Sequence, residues 1–278
     1  MSLYNARIET DAGKIVRFGY NFGNVFDITP LSGVDVTFGT SQGFQQIGET
    51  VETISARGVS RTIRGTFIGD NPETAARAML QNLTLFTTGR LIFDDRYFCR
   101  IHLKKTPYIH RSSTGKYTFD MMVFCETPYW LSLRSNEYVL GGYNPEFSFP
   151  VEYDAHMYGS KDDSAFANCR NEGAMDVPFD AWFTTDTQTT NFGIVNINTF
   201  EHLMLNMTIN QGERVHISRE SGRLYIRLGD EDVFSALDEG SNLFSMHPGD
   251  NILRMTAESG LSGLKVSISY SAAEIGVI

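Results

Sequence analysis

The chain has 278 residues, room for one large or two ordinary domains, and its 41% hydrophobic content suffices for a packed core. A net charge of −10 argues against a nucleic-acid-binding surface, which needs a basic patch. No apolar run approaches the roughly 20 residues of a membrane helix, and Met1 to Gly13, polar and acidic, do not read as a secretion signal; cytoplasmic synthesis and no membrane partner are expected.

Aromatic residues (20 Phe and 12 Tyr) and 25 Gly favour sheets joined by tight turns. Val34, Val36 and Phe38 alternate with Asp35 and Thr37, the period of a half-buried strand. Arg61 to Ile68 repeats the pattern, with Ile63, Gly65 and Phe67 on one face and Arg64 and Thr66 on the other. One helix follows: Asn71 caps it, Pro72 suits its first position, and Glu73 suits the positive end of its dipole. Ala76, Met79, Leu80 and Leu83 give it one apolar face, and Gly89 supplies the stop.

Leu91 to Phe93 then turns at Asp94-Asp95 and returns through Tyr97, Cys99, Ile101 and Leu103. Tyr108 and Ile109 lead to a polar, Gly-ended turn, Ser112-Ser113-Thr114-Gly115. In the next strand Tyr117, Phe119, Met121, Val123 and Cys125 share a face, while Met122 and Phe124 suggest that the other is partly covered. The first half is therefore expected to be a β-sandwich-like platform with one helix and a β-hairpin, bounded near Pro128-Tyr129-Trp130 as residues 1–133.

Residues 134–278 read as a β-sandwich of short strands: Phe179 to Phe183, Gly193 to Ile197, Leu203 to Ile209, Glu213 to Ile217, Leu224 to Leu228, Asn251 to Thr256 and Leu264 to Ser269. Asn210-Gln211-Gly212, Glu220-Ser221-Gly222 and Pro248-Gly249-Asp250-Asn251 punctuate them, and the polar stretch Tyr153 to Asn171 reads as a long loop. Charge separates the halves: 14 Lys and Arg against 12 Asp and Glu in residues 1–133, but 9 against 21 in residues 134–278.

Reactive groups do not converge. Cys99, Cys125 and Cys169 form no Cys-x-x-Cys pair and read as buried thiols, with Cys99 and Cys125 on neighbouring strands. The six histidines show no metal-ligand spacing; His156 near Asp154, Asp162 and Asp163 reads as part of a solvated acidic loop. No nucleophile elbow, phosphate loop or dinucleotide fingerprint occurs, so no catalytic, cofactor or metal residue is assigned and a non-enzyme without cofactor is expected. Trp130, Trp182 and Tyr225 are candidate saccharide-stacking rings, although Trp182, between Ala181 and Phe183, reads more simply as core.

The order of a helix opened by Asn71-Pro72-Glu73, then Gly89 to Phe93, Tyr97 to Arg100 and a long strand closing at Tyr129, resembles the distal tail proteins of siphophages. Asn171-Glu172-Gly173, Gln211-Gly212-Glu213 before Val215-His216-Ile217, and Phe244 to Asn251 extend the resemblance nearly end to end; the family's Pro soon after Gly173 is missing. The resemblance implies a structural protein of the virion tail tip, from a phage or prophage, whose N-terminal domain forms a ring, commonly of six copies, with a galectin-like C-terminal sandwich projecting outward. The implied partners are further copies of itself, the tail tube protein, the tail-tip hub or tail-associated lysin protein, and receptor-binding or other baseplate proteins. Asp94, Asp95 and Ser112 to Gly115 are then candidate contacts with a neighbouring ring, and residues 1–133 are expected to suffice for ring formation. The alternative is a carbohydrate-binding protein that recognises host cell-wall saccharide through the C-terminal sandwich.

Overall fold

A computed structural model describes residues 4–144, 160–162, 165–220 and 222–277. The chain divides into two units, Met1–Arg134 with Ala273–Ile278, and Ser135–Ala272. The last residues thus return to the first unit, where Val277 is buried and its amide donates to the Leu31 carbonyl.

The first unit contains β1 (Ala6–Thr10), β2 (Ile15–Phe18), β3 (Asn24–Thr29), β4 (Val36–Ser41), β5 (Thr50–Ala56), β6 (Val59–Phe67), helix α1 (Pro72–Asn82), β7 (Thr88–Phe93), β8 (Tyr97–Arg111), β9 (Tyr117–Cys125) and the start of β10 (Trp130–Leu140). These strands pair antiparallel. Strand β8 is shared between two wings. Its first part pairs with β7, which leads to β1 and β2; its later part pairs with β9, which leads to β6 and β3. The wings meet through aromatic side chains: the Phe18 ring of β2 lies 5.7 Å from Phe26 of β3 and 5.9 Å from Phe119 of β9. Ile8, Leu91, Ile101, Ile63, Met121 and Val123 fill the interior between them.

Sequence expectations for β9 and β6 hold residue by residue: Phe119, Met121, Val123 and Cys125 are buried together with Ile63 and Phe67. Helix α1 starts at Pro72 as expected, and Ala76, Met79 and Leu83 are buried, but the Asn71 side chain makes no capping hydrogen bond. Leu80 is exposed, and the helix stops at Asn82, before Gly89. Gly89 serves the sheet instead: it sits in β7 opposite Thr10, where a Cβ would stand 2.1 Å from the Glu9 carbonyl oxygen. What reads as two segments around Pro107 is one strand, β8, with register shifts on either side of Lys105 that accommodate a residue lacking an N–H.

The second unit contains the rest of β10, β11 (Gly142–Asn144), β12 (Ser160–Asp162), β13 (Phe166–Asn168), β14 (Asp180–Thr185), β15 (Thr189–Asn196), β16 (His202–Ile209), β17 (Arg214–Glu220), β18 (Arg223–Leu228), β19 (Glu231–Asp232), β20 (Ile252–Ser259) and β21 (Leu264–Glu274). One sheet carries the order β19-β18-β17-β14-β21 and another the order β13-β20-β15-β16. Alternation turns Ala181, Phe183, Val215, Ile217, Ile226 and Val266 inward from the first, and Phe192, Ile194, Leu205 and Leu253 inward from the second. The Phe183 and Phe192 rings, 5.3 Å apart, join the two layers. This is the expected sandwich, and the chain is mainly β with one α-helix among the described residues. Within Tyr153 to Asn171, read from sequence as loop, β12 and β13 are strands; residues 153–159, 163 and 164 lie outside the described residues.

Candidate functional site

Strands β4 and β5 form a two-stranded sheet of their own. Phe38 stands opposite Ile54 and Val36 opposite Ala56, so one face of this hairpin is apolar, while Thr37, Ser55 and Thr53 occupy the other. Among the described residues neither face is covered: Phe38 is 55% exposed and Ile54 69%. At the tip Phe44 and Ile47 are almost wholly in solvent. Alternation therefore identifies the strand correctly, but the expected half-burial of Val36 and Phe38 does not occur. Paired isolated strands are marginal in water, and an uncovered apolar face points to a partner. The sequence held one sign of this, namely two large apolar residues, Phe44 and Ile47, inside a Gln- and Gly-rich turn.

The root of the hairpin is fixed by two fully buried side chains. Trp130 Nε1 donates to the Leu31 carbonyl at 2.9 Å, and Arg61 Nη1 donates to the preceding carbonyl, that of Pro30. Arg61 Nη2 also donates to the Pro128 carbonyl at 3.2 Å, whereas its Nε has no hydrogen-bond partner. The guanidinium carbon lies 4.5 Å from the Trp130 ring centroid, which offsets part of the cost of burying a charge that has no carboxylate partner among the described residues. Nearby, Cys99 Sγ and Cys125 Sγ are 3.3 Å apart as free thiols; burial first, and the hydrogen bond to Cys125 second, hold the Cys99 thiol well above its usual range. Burial also pushes the Cys169 thiol up to about 12.

The two expected contact turns are both tips of the first unit. Asp94 and Asp95 have φ of 51° and 53°, the left-handed pair of a two-residue hairpin turn. Their carboxylates are engaged at home, Asp94 with Arg96 at 2.7 Å and Asp95 with Arg7. In the other turn Ser112 Oγ accepts from the Lys116 amide at 3.1 Å and lies 2.8 Å from Thr114 Oγ1, Ser113 is exposed, and Gly115 takes φ of 80°.

Trp182 and Tyr225 share the outer face of the β14-β17-β18 layer, with β17 between them. Trp182 is therefore not core; Ala181 and Phe183 beside it are. Its ring is already stacked on His216, centroids 3.5 Å apart and planes within 1°, with the Arg214 guanidinium carbon 3.8 Å from the Trp182 ring. Tyr225 is approached by Arg227 at 5.1 Å. Asn171 and Asn251 hold turns. Asn251 Nδ2 donates to the carbonyls of His247, Gly249 and Cys169, and Asn171 Nδ2 to those of Met175 and Met246. His247 lies between Asp176 and Glu201, at 3.0 and 3.3 Å. The hydrogen bond to Asp176, foremost, raises its pKa.

Among the described residues no three His, Cys, Asp or Glu side chains are placed to share a metal ion. Of the His156 cluster only Asp162 is described. Among the described residues no helix is long and apolar enough to cross a membrane.

Residues 172–273 match the model of a family described as siphovirus-type tail component, C-terminal domain. Among solved structures the chain is similar to the Dit protein (gp 19.1) of SPP1, described as a paradigm of the hub adsorption apparatus of phages infecting Gram-positive hosts. The two are 12% identical, the likeness covers 97% of this chain and 99% of that one, and the TM-score is 0.67. A chain of the phage P2 baseplate, activated with Ca, is 11% identical over 97% of this chain and 98% of that one, with a TM-score of 0.47. The SPP1 likeness shows a shared fold along nearly the whole chain; the P2 likeness is too distant to add to it. No curated protein matches in sequence.

Proposed function

We propose that this chain, a siphovirus-type tail component by its residues 172–273, is a distal tail protein of which six copies close into a ring. The ring joins the tail tube protein to the tail-tip hub or tail-associated lysin protein and anchors receptor-binding or other baseplate proteins at the virion tail tip. Its work is assembly, with no reaction step assigned to any side chain.

The observation that carries this reading is the uncovered hairpin β4–β5. Each large apolar side chain moved from water into an interface contributes about 1.5–3 kcal/mol, and Phe38, Phe44, Ile47 and Ile54 are all available. A head-to-tail contact between identical copies that closes on itself makes a ring. The near-balanced charge of residues 1–133 suits packing beside copies of itself, and the acidic remainder suits an outward, mutually repelling position. The turns at Asp94-Asp95 and Ser112 to Gly115 are proposed contacts with the neighbouring ring.

Saccharide recognition through Trp182 and Tyr225 is the weaker reading, because the Trp182 ring is already stacked by His216 and approached by Arg214. Quenching of tryptophan fluorescence by cell-wall saccharide would revive it. Antibody against the purified chain, imaged on whole particles, tests the main reading. Label confined to the distal tail end is expected; label along the tail or on the capsid would overturn it.

A further inference from the structure

Cys99 and Cys125 hold their Sγ atoms 3.3 Å apart, both as free thiols and both wholly buried. Register explains the approach. Ile101 stands opposite Cys125, and Cys99, two residues back along β8, lies diagonal to it on the same buried face. Cys99 itself pairs with Leu91 of β7, so the two thiols come from different wings of the unit. A disulfide needs its sulfurs about 2.05 Å apart, which leaves this pair roughly 1.3 Å to close by side-chain rotation.

The surroundings make the two sulfurs unlike. The hydrogen bond with Cys99 first, and the Arg61 guanidinium after it, lower the Cys125 thiol, while burial holds the Cys99 thiol up. Cys125 is thus the nucleophile and Cys99 the thiol that follows. Access comes from the strand ends: β9 stops at Cys125, β6 begins opposite it at Val59, and Glu126 just beyond is exposed. The ends of a ladder open more readily than its middle, which admits a small reagent.

We propose that Cys99 and Cys125 are a disulfide-forming site, closed when the protein passes from a reducing compartment to an oxidising one. The oxidant is a small-molecule disulfide. The Cys125 thiolate attacks one of its sulfurs, forming a mixed disulfide and expelling the first small thiolate. Cys99 then attacks the Cys125 sulfur and the second small thiolate leaves; each departing thiolate takes up one of the two protons that the cysteines release. Two protein thiols are oxidised to one S–S bond, and one small disulfide is reduced to two thiols. The bond ties positions 26 apart in sequence and joins the β7–β8 wing to the β9–β6 wing. The site belongs to the single chain and does not rest on the ring reading.

The test incubates the folded, full-length wild type with hydroxyethyl disulfide, beside an untreated sample. After removal of the reagent and denaturation, the treated chain should show one reactive thiol, Cys169, where the untreated chain shows all three. Its mass should fall by about 2 Da, the two hydrogens lost. Tryptic digestion without reductant should yield Tyr97–Arg100 joined to Tyr117–Arg134. The melting temperature should rise by about 5 °C or more and return to its starting value on reduction. Three thiols retained after treatment, or a bond that takes in Cys169, would overturn the site. So would a bond that lowers the melting temperature, because the native strands would then have been forced apart to form it.

Discussion

Arg61 and Trp130 hold two successive carbonyls, those of Pro30 and Leu31, and lie stacked with the guanidinium carbon 4.5 Å from the ring centroid. One residue comes from β6 and the other from the start of β10, yet both act on the segment that leads from β3 into the exposed hairpin. Both side chains are wholly buried, so the root of a solvent-exposed arm is anchored in the core of the unit. An arm fixed at its root loses less freedom on docking than a free loop, which is how preorganisation strengthens an interface.

Replacing Arg61 should therefore have two effects. Arg61→Ala leaves the Pro30 and Pro128 carbonyls without their donor and uncovers the Trp130 ring, at a cost of about 3 kcal/mol of stability in urea unfolding. Arg61→Lys should be nearly as harmful, because an ammonium cannot serve both carbonyls and stack on the ring at once. Both variants should also assemble less well at temperatures where they remain folded. An Arg61→Ala chain with unchanged unfolding midpoint would contradict this reading of the clamp.

Changes on the hairpin itself should separate assembly from folding. Phe38→Ser with Ile54→Ser removes two side chains that are each more than half exposed. Stability should shift by no more than about 0.5 kcal/mol per site, the usual range for exposed substitutions. Oligomer formation measured by sedimentation should fall by tenfold or more in association constant. A large loss of stability instead would mean that the hairpin packs on its own chain.

The turn at Asp94-Asp95 permits a test of inter-ring contact that spares the fold. Asn followed by Gly suits the same left-handed pair of conformations, so Asp94→Asn with Asp95→Gly removes both charges and keeps the backbone. Loss of the exposed pairs to Arg96 and Arg7 should cost no more than about 1 kcal/mol. Tail assembly by this variant is expected to drop. Normal tails would show that the turn serves only its own hairpin.

His247 gives a pH dependence with a definite sign. Its folded pKa is raised, mainly by the hydrogen bond to Asp176 and further by Glu201, so protonation and folding favour each other. The contribution is complete below the unfolded value of about 6.5 and disappears as pH rises through the higher folded value. The wild type should thus exceed His247→Gln in melting temperature by more at about pH 5.5 than at about pH 8.5. An advantage that grows with pH would contradict the sign.

Much of the β architecture was legible because alternation and turn residues are local. Phe119, Met121, Val123 and Cys125 share a face wherever β9 lies, and Gly115 marks its turn in any context. What escaped depends on distant partners. Gly89 ends no helix because β1 approaches it too closely for a side chain, and nothing near it in sequence says so. Val36 and Phe38 alternate as a buried strand would, since the period of a strand is the same whether its apolar face meets its own core or another molecule. Trp182 reads as core beside Ala181 and Phe183, but period 2 places it on the opposite face, where His216 and Arg214 reach it from β17.

The most direct test of the ring is the mass of the purified, full-length chain in solution, measured by native mass spectrometry at physiological salt. The account predicts a dominant species of six times the 31.2 kDa chain. A sample that stays at a single-chain mass across the accessible concentration range would contradict it.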